Sequence, residues 1–148
     1  MRKSSCTAAV CRRFRRGILS YQAAFDWIGI IGNYADGPNT VVINGKVIDL
    51  EPFALRVNDI YFEGVGDGHL EAASTEGATA TLPWHLADPI KPLIQRLIYR
   101  TLRYPGHWDH MQTLLRMGWF DNMKAESFNS TEISPRQMAE HLLARKSA

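Results

Sequence analysis

Residues 93–108, LIQRLIYRTLRYPGHW, contain the clearest change from one secondary structure to another in this chain. β-Branched and aromatic residues are frequent in the first part of the stretch, and Pro92 and Pro105 bound it. This pattern predicts a strand from Leu93 to Tyr104. Because Pro105 and Gly106 cannot continue a strand, the sequence predicts that it ends in a sharp turn.

Helices are predicted both before and after this strand in the sequence. Apolar side chains recur at helical spacing from Ala23 to Tyr34 and again from His107 to Met117, where Gly118 suits the position just after a helix C-terminus. A further helix is expected to begin at Ser134, because its side chain can cap a helix and Gln137 completes a capping box.

Three other segments predict extended structure. The stretch TVVINGKVIDL, residues 40–50, has β-branched runs on either side of Asn44-Gly45, a pair that favours a type I′ turn, so it predicts a hairpin. Strands are also predicted from Asp59 to Glu63 and from His69 to Ser74. Since strands and helices do not alternate regularly, we expect an α+β fold with a mixed or antiparallel sheet and helices on one side.

Length and composition indicate one globular domain. The 148 residues are 45% hydrophobic and 22% charged, enough for a core without disulfide or metal support. The longest apolar run, Trp27 to Ile31, is too short to cross a bilayer, so we expect no membrane partner. Residues 1–16 carry a charge of +6, whereas the other 11 basic and 15 acidic side chains give −4. This mildly acidic body argues against a nucleic-acid partner.

The basic tail, residues 1–19, is set apart from the domain expected over residues 20–148. Three interpretations of the tail are open: an organellar transit peptide, a basic arm that contacts phosphates, or non-native residues translated from a truncated gene. We favour the last. Cys6 and Cys11 both lie in the tail at a spacing that suits no zinc site, so we expect reduced thiols in a cytoplasmic protein.

The sequence lacks the motifs of a self-sufficient enzyme. The glycine-rich segment 64–68 follows a predicted strand, but a dinucleotide fingerprint would need glycine where His69 stands, and no P-loop motif is found elsewhere. His107 and His110 share a predicted helix without a third ligand at a recognisable spacing, so we expect no metal. No G-x-S-x-G motif indicates a hydrolase.

The turn after the predicted Leu93–Tyr104 strand gathers residues with evident chemistry. A break at Pro105-Gly106 would bring Arg103, Tyr104 and His107 close together near a helix N-terminus. A guanidinium can bind a carboxylate bidentately, and an imidazole can exchange protons near neutral pH. The alternative is a structural turn in which Arg103 pairs with a buried acid such as Glu71. The residues alone leave both interpretations open.

These motifs resemble one family. The stretch TLRYPGH, residues 101–107, resembles a motif of the saccharopine dehydrogenase-like oxidoreductases, and further segments resemble that family in the same order along residues 20–143. They are YQAAF at 21–25, GIIGNY at 29–34, NGKV at 44–47, the glycine-containing segment 62–77 and ISPR at 133–136. Asn33 departs from the family's usual acidic residue, and Asp67-Gly68 lengthens the glycine turn.

The resemblance implies the substrate side of a larger enzyme. Such proteins join an NAD(P)-binding Rossmann domain to a central α+β domain that binds substrate and forms the dimer, and only the second is expected here. We therefore expect no cofactor bound by this chain alone. The ligand would be an amino-acid-like carboxylated small molecule, and the protein partner a second copy in a homodimer or a separate Rossmann-domain chain. The alternative is a non-catalytic gene remnant or a stand-alone oligomerisation or binding module. The expected substrate-binding residues are Arg103, Tyr104, His107, Glu71, Thr75, Asn33 and Tyr34.

Overall fold

The computed structural model describes residues 3–9, 19, 21, 26–61, 69–76, 81–86, 94–122 and 132–147. Within these ranges the chain forms strands and helices in the order β1 (Lys3–Ala9), α1 (Trp27–Ala35), β2 (Asn39–Ile43), β3 (Lys46–Leu50), β4 (Val57–Ile60), β5 (Leu70–Ser74), α2 (Leu82–Leu86), β6 (Arg96–Arg103), α3 (His107–Arg116) and α4 (Pro135–Ser147). The expected α+β class is confirmed.

The described strands form one mixed sheet with β6 at its centre. Strands β2 to β6 lie in the order β3-β2-β6-β5-β4, and each neighbouring pair is antiparallel. β1 pairs with β6 in parallel, from Lys3 opposite Arg96 to Ala9 opposite Leu102. β6 is the predicted Leu93–Tyr104 strand, shorter by three residues at its start and one at its end.

Two local predictions are confirmed in detail. Asn44 and Gly45 have φ values of 54° and 74° and join β2 to β3 by a two-residue turn, as expected for type I′. At the start of α4, the backbone N–H of Gln137 donates to Ser134 Oγ (3.2 Å), and the Ser134 N–H donates to Gln137 Oε1 (2.9 Å). This is the predicted capping box.

Other boundaries differ from the prediction. Helix α1 begins at Trp27 rather than Ala23, because the Asp26 side chain caps it by accepting from the Gly29 N–H at 2.8 Å. Residues 22–25 lie outside the described part of the chain. The strand predicted from Asp59 to Glu63 is observed at Val57–Ile60. Residues 62–63 also lie outside the described part of the chain.

Two described elements were not predicted. β1 lies within the basic tail that we had set apart from the domain, and its sequence, KSSCTAA, contains few of the residues that favour strands. Helix α2 has five residues, LPWHL, and is too short to show a periodic pattern.

The helices α1, α3 and α4 share one core with the sheet. Their large buried residues include Trp27, Ile30, Ile31, Trp108, Met111 and Leu143, which pack with Phe53 and with Ala73 of β5. A second, smaller cluster contains Leu70, Ala72, Leu102 and Tyr104. Since alternate residues of a strand face opposite sides, Ala72 and Ala73 direct these two clusters to opposite faces of the sheet.

An ion pair joins α1 to α4. Arg136 is 6% exposed, and its guanidinium binds both carboxylate oxygens of Asp36, the C-cap residue that follows α1. It also donates to Glu140 at 2.9 Å, one turn further along α4. Gly32 allows the close approach, because a Cβ there would lie 3.1 Å from Asp36 Oδ2 and 3.6 Å from Arg136 Nη2.

We predict that Arg136→Met lowers the free energy of unfolding by about 1–3 kcal/mol, the range for losing hydrogen bonds to a charged group. Urea denaturation followed by circular dichroism measures this change. Arg145→Met, at an exposed position in the last turn of the same helix, is the control and should change stability by less than about 0.5 kcal/mol. Equal effects of the two substitutions would show that the Asp36 contact contributes nothing.

Candidate functional site

A carboxylate of this protein, that of Glu71, binds the backbone of the turn between β6 and α3. Gly106 occupies the N-cap of α3 with φ of 90°, a left-handed conformation that favours glycine. Its N–H donates to Glu71 Oε2 at 3.2 Å, and Trp108 Nε1 donates to the Glu71 carbonyl at 3.3 Å. The positive end of this helix, which the sequence suggested as a place for a substrate anion, is therefore occupied by Glu71.

Arg103 lies beneath this turn and is only 3% exposed. Its Nε donates to the Tyr34 hydroxyl at 3.0 Å, and Nη1 donates to the Leu102 carbonyl at 2.8 Å. Among the described residues no carboxylate lies close enough to form an ion pair with it, and Glu71 binds the turn backbone instead. The guanidinium is thus fixed in orientation, although no described acid neutralises it.

A directional hydrogen-bond chain continues from Arg103 to α3. His107 is fully buried, and its Nδ1 lies 3.0 Å from the Leu19 carbonyl, which can only accept, so Nδ1 carries the proton. Nε2 then accepts from the Tyr34 hydroxyl at 3.1 Å, and that oxygen accepts from Arg103. A neutral imidazole with the proton on Nδ1 is therefore consistent with every hydrogen bond from Arg103 through Tyr34 to Leu19.

The electrostatic surroundings of His107 oppose its protonation. Burial is the main cause and repulsion from Arg103 the next, and together they lower the pKa of His107 to about 3. The hydrogen bond to Leu19 acts in the opposite direction but is outweighed. His107 is therefore uncharged at neutral pH, where it accepts a hydrogen bond and is not a cationic partner for an anion.

Tyr21 packs over the guanidinium. The Arg103 Cζ atom lies 4.5 Å from the Tyr21 ring centroid, and the same ring contacts His107 at 5.1 Å and Trp27 at 5.7 Å between centroids. The Tyr21 hydroxyl is buried, and no described residue forms a hydrogen bond with it. A buried unpaired hydroxyl costs about 1–3 kcal/mol, comparable to the roughly 0.5–2 kcal/mol that a cation–π contact contributes.

The structure brings only some of the expected residues together. Arg103, Tyr34 and His107 form one hydrogen-bonded group, and Glu71 adjoins it through the turn. The Thr75 and Thr101 hydroxyls bind each other at 2.8 Å.

Two expected residues lie apart from this group. The side chain of Asn33 is exposed, and the Asn33 backbone carbonyl accepts from the Glu76 backbone N–H at 3.1 Å. Tyr104 packs in the second cluster, with Leu102, although it follows Arg103 directly in sequence.

Tyr21 is the residue of this group that the sequence did not single out. It is the first residue of the segment YQAAF, which was noted only for its resemblance to a family pattern. Its contact with Arg103 spans 82 positions of the chain, and no local spacing indicates such a contact.

Other parts of the described chain offer less chemistry. A cleft of about 520 Å³ between the end of α1 and β3 is lined by Ala35, Gly37, Pro38, Asp49, Leu50, Glu51 and Pro52. Within the described ranges no three His, Cys, Asp or Glu side chains are grouped closely enough to hold a metal ion. None of the described helices combines the length and the hydrophobicity needed to cross a bilayer.

We predict a pH dependence of stability that His107 causes. The folded-state pKa of about 3 lies below the ordinary value of 6.5, so the unfolded chain takes up a proton that the folded chain does not. The stability that neutral His107 contributes is fully present above pH 6.5. As the pH falls towards 3, the free energy of unfolding decreases by up to about 1.4 kcal/mol per pH unit.

Denaturant titrations between pH 7 and 4.5 measure this slope. His107→Asn should have a shallower slope than the wild type, whereas His110→Asn, which alters an exposed residue of the same helix, should keep the wild-type slope. Identical slopes for all three proteins would contradict the assignment.

Comparison with known proteins supports a relationship in fold. No protein-family model matches the chain. Among solved structures, the chain is similar to apo histidine-tagged saccharopine dehydrogenase (L-Glu forming) from Saccharomyces cerevisiae, with a TM-score of 0.56 and 18% identity over 82% of this chain. The match covers 26% of the yeast chain, so this protein spans about a quarter of that structure's length. At this identity the likeness shows that the two share the α+β fold of this region.

Proposed function

We propose that this chain is the substrate-binding portion of a saccharopine dehydrogenase-like oxidoreductase that acts on a C–N bond next to a carboxylate. The fold shared with part of the yeast enzyme supports the assignment of the domain. The observation that carries the substrate class is Arg103, a buried guanidinium that pairs with no acid among the described residues. The ligand would be an amino-acid-like carboxylated small molecule.

The argument for a carboxylate rests on the cost of burying charge. An isolated buried cation is strongly unfavourable, and an anion that reaches it gains from the low dielectric surroundings. Nε and one N–H of Nη1 of Arg103 already have acceptors in Tyr34 and Leu102. Among the described residues no acceptor is found for Nη2, so we propose that this nitrogen, with the second N–H of Nη1, binds the ligand. Arginine suits this role because its planar group keeps a fixed orientation.

The neighbouring residues would act by holding Arg103 in place. Tyr34 fixes the guanidinium through Nε, and neutral His107 accepts from the same hydroxyl. Glu71 holds the turn through Gly106. Because Tyr104 and Asn33 lie apart from this group, we assign no contact with the carboxylate to them.

We propose that this chain alone does not bind the nicotinamide dinucleotide that the family uses. The unit β6–turn–α3 is a strand, a glycine-containing turn and a helix, the arrangement that binds pyrophosphate in other proteins. Here the Glu71 carboxylate occupies the helix N-terminus and would repel a phosphate. NAD(P) would therefore be bound by another domain or a separate chain, and we assign no hydride-transfer step to these residues.

The alternative is a module that binds a protein without catalysis. Apolar side chains on two described helices favour it: Met138 and Leu142 lie one turn apart on α4, 41% and 42% exposed, and Trp84 on α2 is 63% exposed. A second copy of this chain would be the partner.

We predict that Arg103→Lys weakens binding of glutarate, a simple dicarboxylate probe, by roughly 10- to 100-fold, since a lysine retains the charge but loses the fixed planar donors. Isothermal calorimetry measures the affinity, with glutaramide as the uncharged ligand. Arg96→Lys, at an exposed position on the same strand, is the matched control and should bind as the wild type does. If Arg103→Lys unfolds the chain while its folded fraction binds normally, Arg103 has only a structural role.

We also predict that the isolated chain shows no saturable binding of NAD(H) or NADP(H) at millimolar concentrations. The reason is the occupied helix N-terminus together with the absence of a dinucleotide fingerprint in the sequence. Calorimetry with the same protein preparation tests this. A micromolar affinity for either nucleotide would overturn the proposed division of the enzyme into separate parts.

A further inference from the structure

Among the described residues, Tyr21 has the one buried side-chain polar atom without a hydrogen-bond partner. The residue is 4% exposed, so its hydroxyl has lost contact with water without gaining a replacement. The neighbouring Tyr34 hydroxyl and His107 Nε2 bind each other, and His107 Nδ1 also binds the Leu19 carbonyl. The exception therefore calls for a physical explanation.

The position of the ring relates this hydroxyl to the guanidinium. Arg103 Cζ lies 4.5 Å from the Tyr21 ring centroid, nearer than to the rings of Tyr34 and Trp108, which are both at 5.9 Å. Tyr21 thus covers one side of Arg103. A ligand that binds the guanidinium from this side would contact the Tyr21 ring.

We infer that the Tyr21 hydroxyl is the second donor of the carboxylate site, so that one carboxylate binds both Arg103 and Tyr21. This inference rests on the proposed function, since it needs Arg103 to bind a carboxylate. The entering anion would give the hydroxyl the acceptor that the fold does not supply. The energetic cost of burying the hydroxyl in the free protein would then be relieved on binding.

The arrangement has a consequence for specificity. A guanidinium can only donate hydrogen bonds. A phenol hydroxyl has one hydrogen, and when it donates that hydrogen to the ligand, its oxygen lone pairs point away from the ligand. A carboxylate presents two acceptors to this pair of donors. A primary carboxamide presents one acceptor and an NH₂ group, which would face a donor. The site therefore selects carboxylates over carboxamides by hydrogen-bond complementarity in addition to charge.

The substitution Tyr21→Phe tests the inference because it removes only the hydroxyl. We expect a higher melting temperature without ligand, since an unpaired buried group is lost, and roughly tenfold weaker glutarate binding, the value of one hydrogen bond to a charged group. Tyr61→Phe, which alters a tyrosine that is 71% exposed, should change neither quantity. Thermal melts and calorimetry on the full chain measure both.

The outcomes separate this inference from the proposed function. If Tyr21→Phe binds glutarate as the wild type does while Arg103→Lys binds it weakly, the proposed function stands and the role of Tyr21 is overturned. If the wild type itself binds no glutarate, both are overturned. A lower melting temperature or an unfolded Tyr21→Phe protein would show that the hydroxyl already has a partner in the fold, and would overturn the inference on that ground.

Discussion

The hydrogen bond from Arg103 to the Tyr34 hydroxyl links three elements of this protein. Arg103 ends β6, Tyr34 lies on α1, and His107, which accepts from the same hydroxyl, begins α3. Because all three side chains are buried, none can exchange its partner for water without opening the core. The positions of α1 and α3 relative to the central strand are therefore coupled through one oxygen atom.

This coupling explains why a charged residue is tolerated in an otherwise apolar cluster. Around Arg103 the aromatic rings of Tyr21, Tyr34 and Trp108 present electron-rich faces, which partly replace the hydration that the guanidinium loses. They do not replace a counter-charge. The same guanidinium thus orders the core while no described acid neutralises it, which is the feature on which the proposed carboxylate site rests.

Features that depend on neighbouring residues could be predicted from the sequence, whereas features that depend on distant ones could not. The Asn44-Gly45 turn follows from two adjacent residues, and the Ser134–Gln137 capping box from residues three positions apart. The predicted start of α1 is wrong because the apolar period extends before Asp26, whose capping bond marks the N-terminus of the helix. Tyr104 was grouped with Arg103 by adjacency, yet side chains of consecutive extended residues point to opposite faces. The contact between Tyr21 and Arg103 has no local signature.

The parallel pairing of β1 with β6 has a consequence for how the chain folds. Lys3 lies opposite Arg96, so 93 positions of chain must be enclosed before the first pair of this ladder forms. The entropy lost in closing such a loop exceeds that of the β2–β3 hairpin, whose strands are joined by two residues. Loop closure therefore favours formation of the hairpin before β1 pairs with β6. Until that pairing forms, the backbone N–H and C=O groups of β6 that pair with β1 are open to any extended segment, including β1 of another molecule.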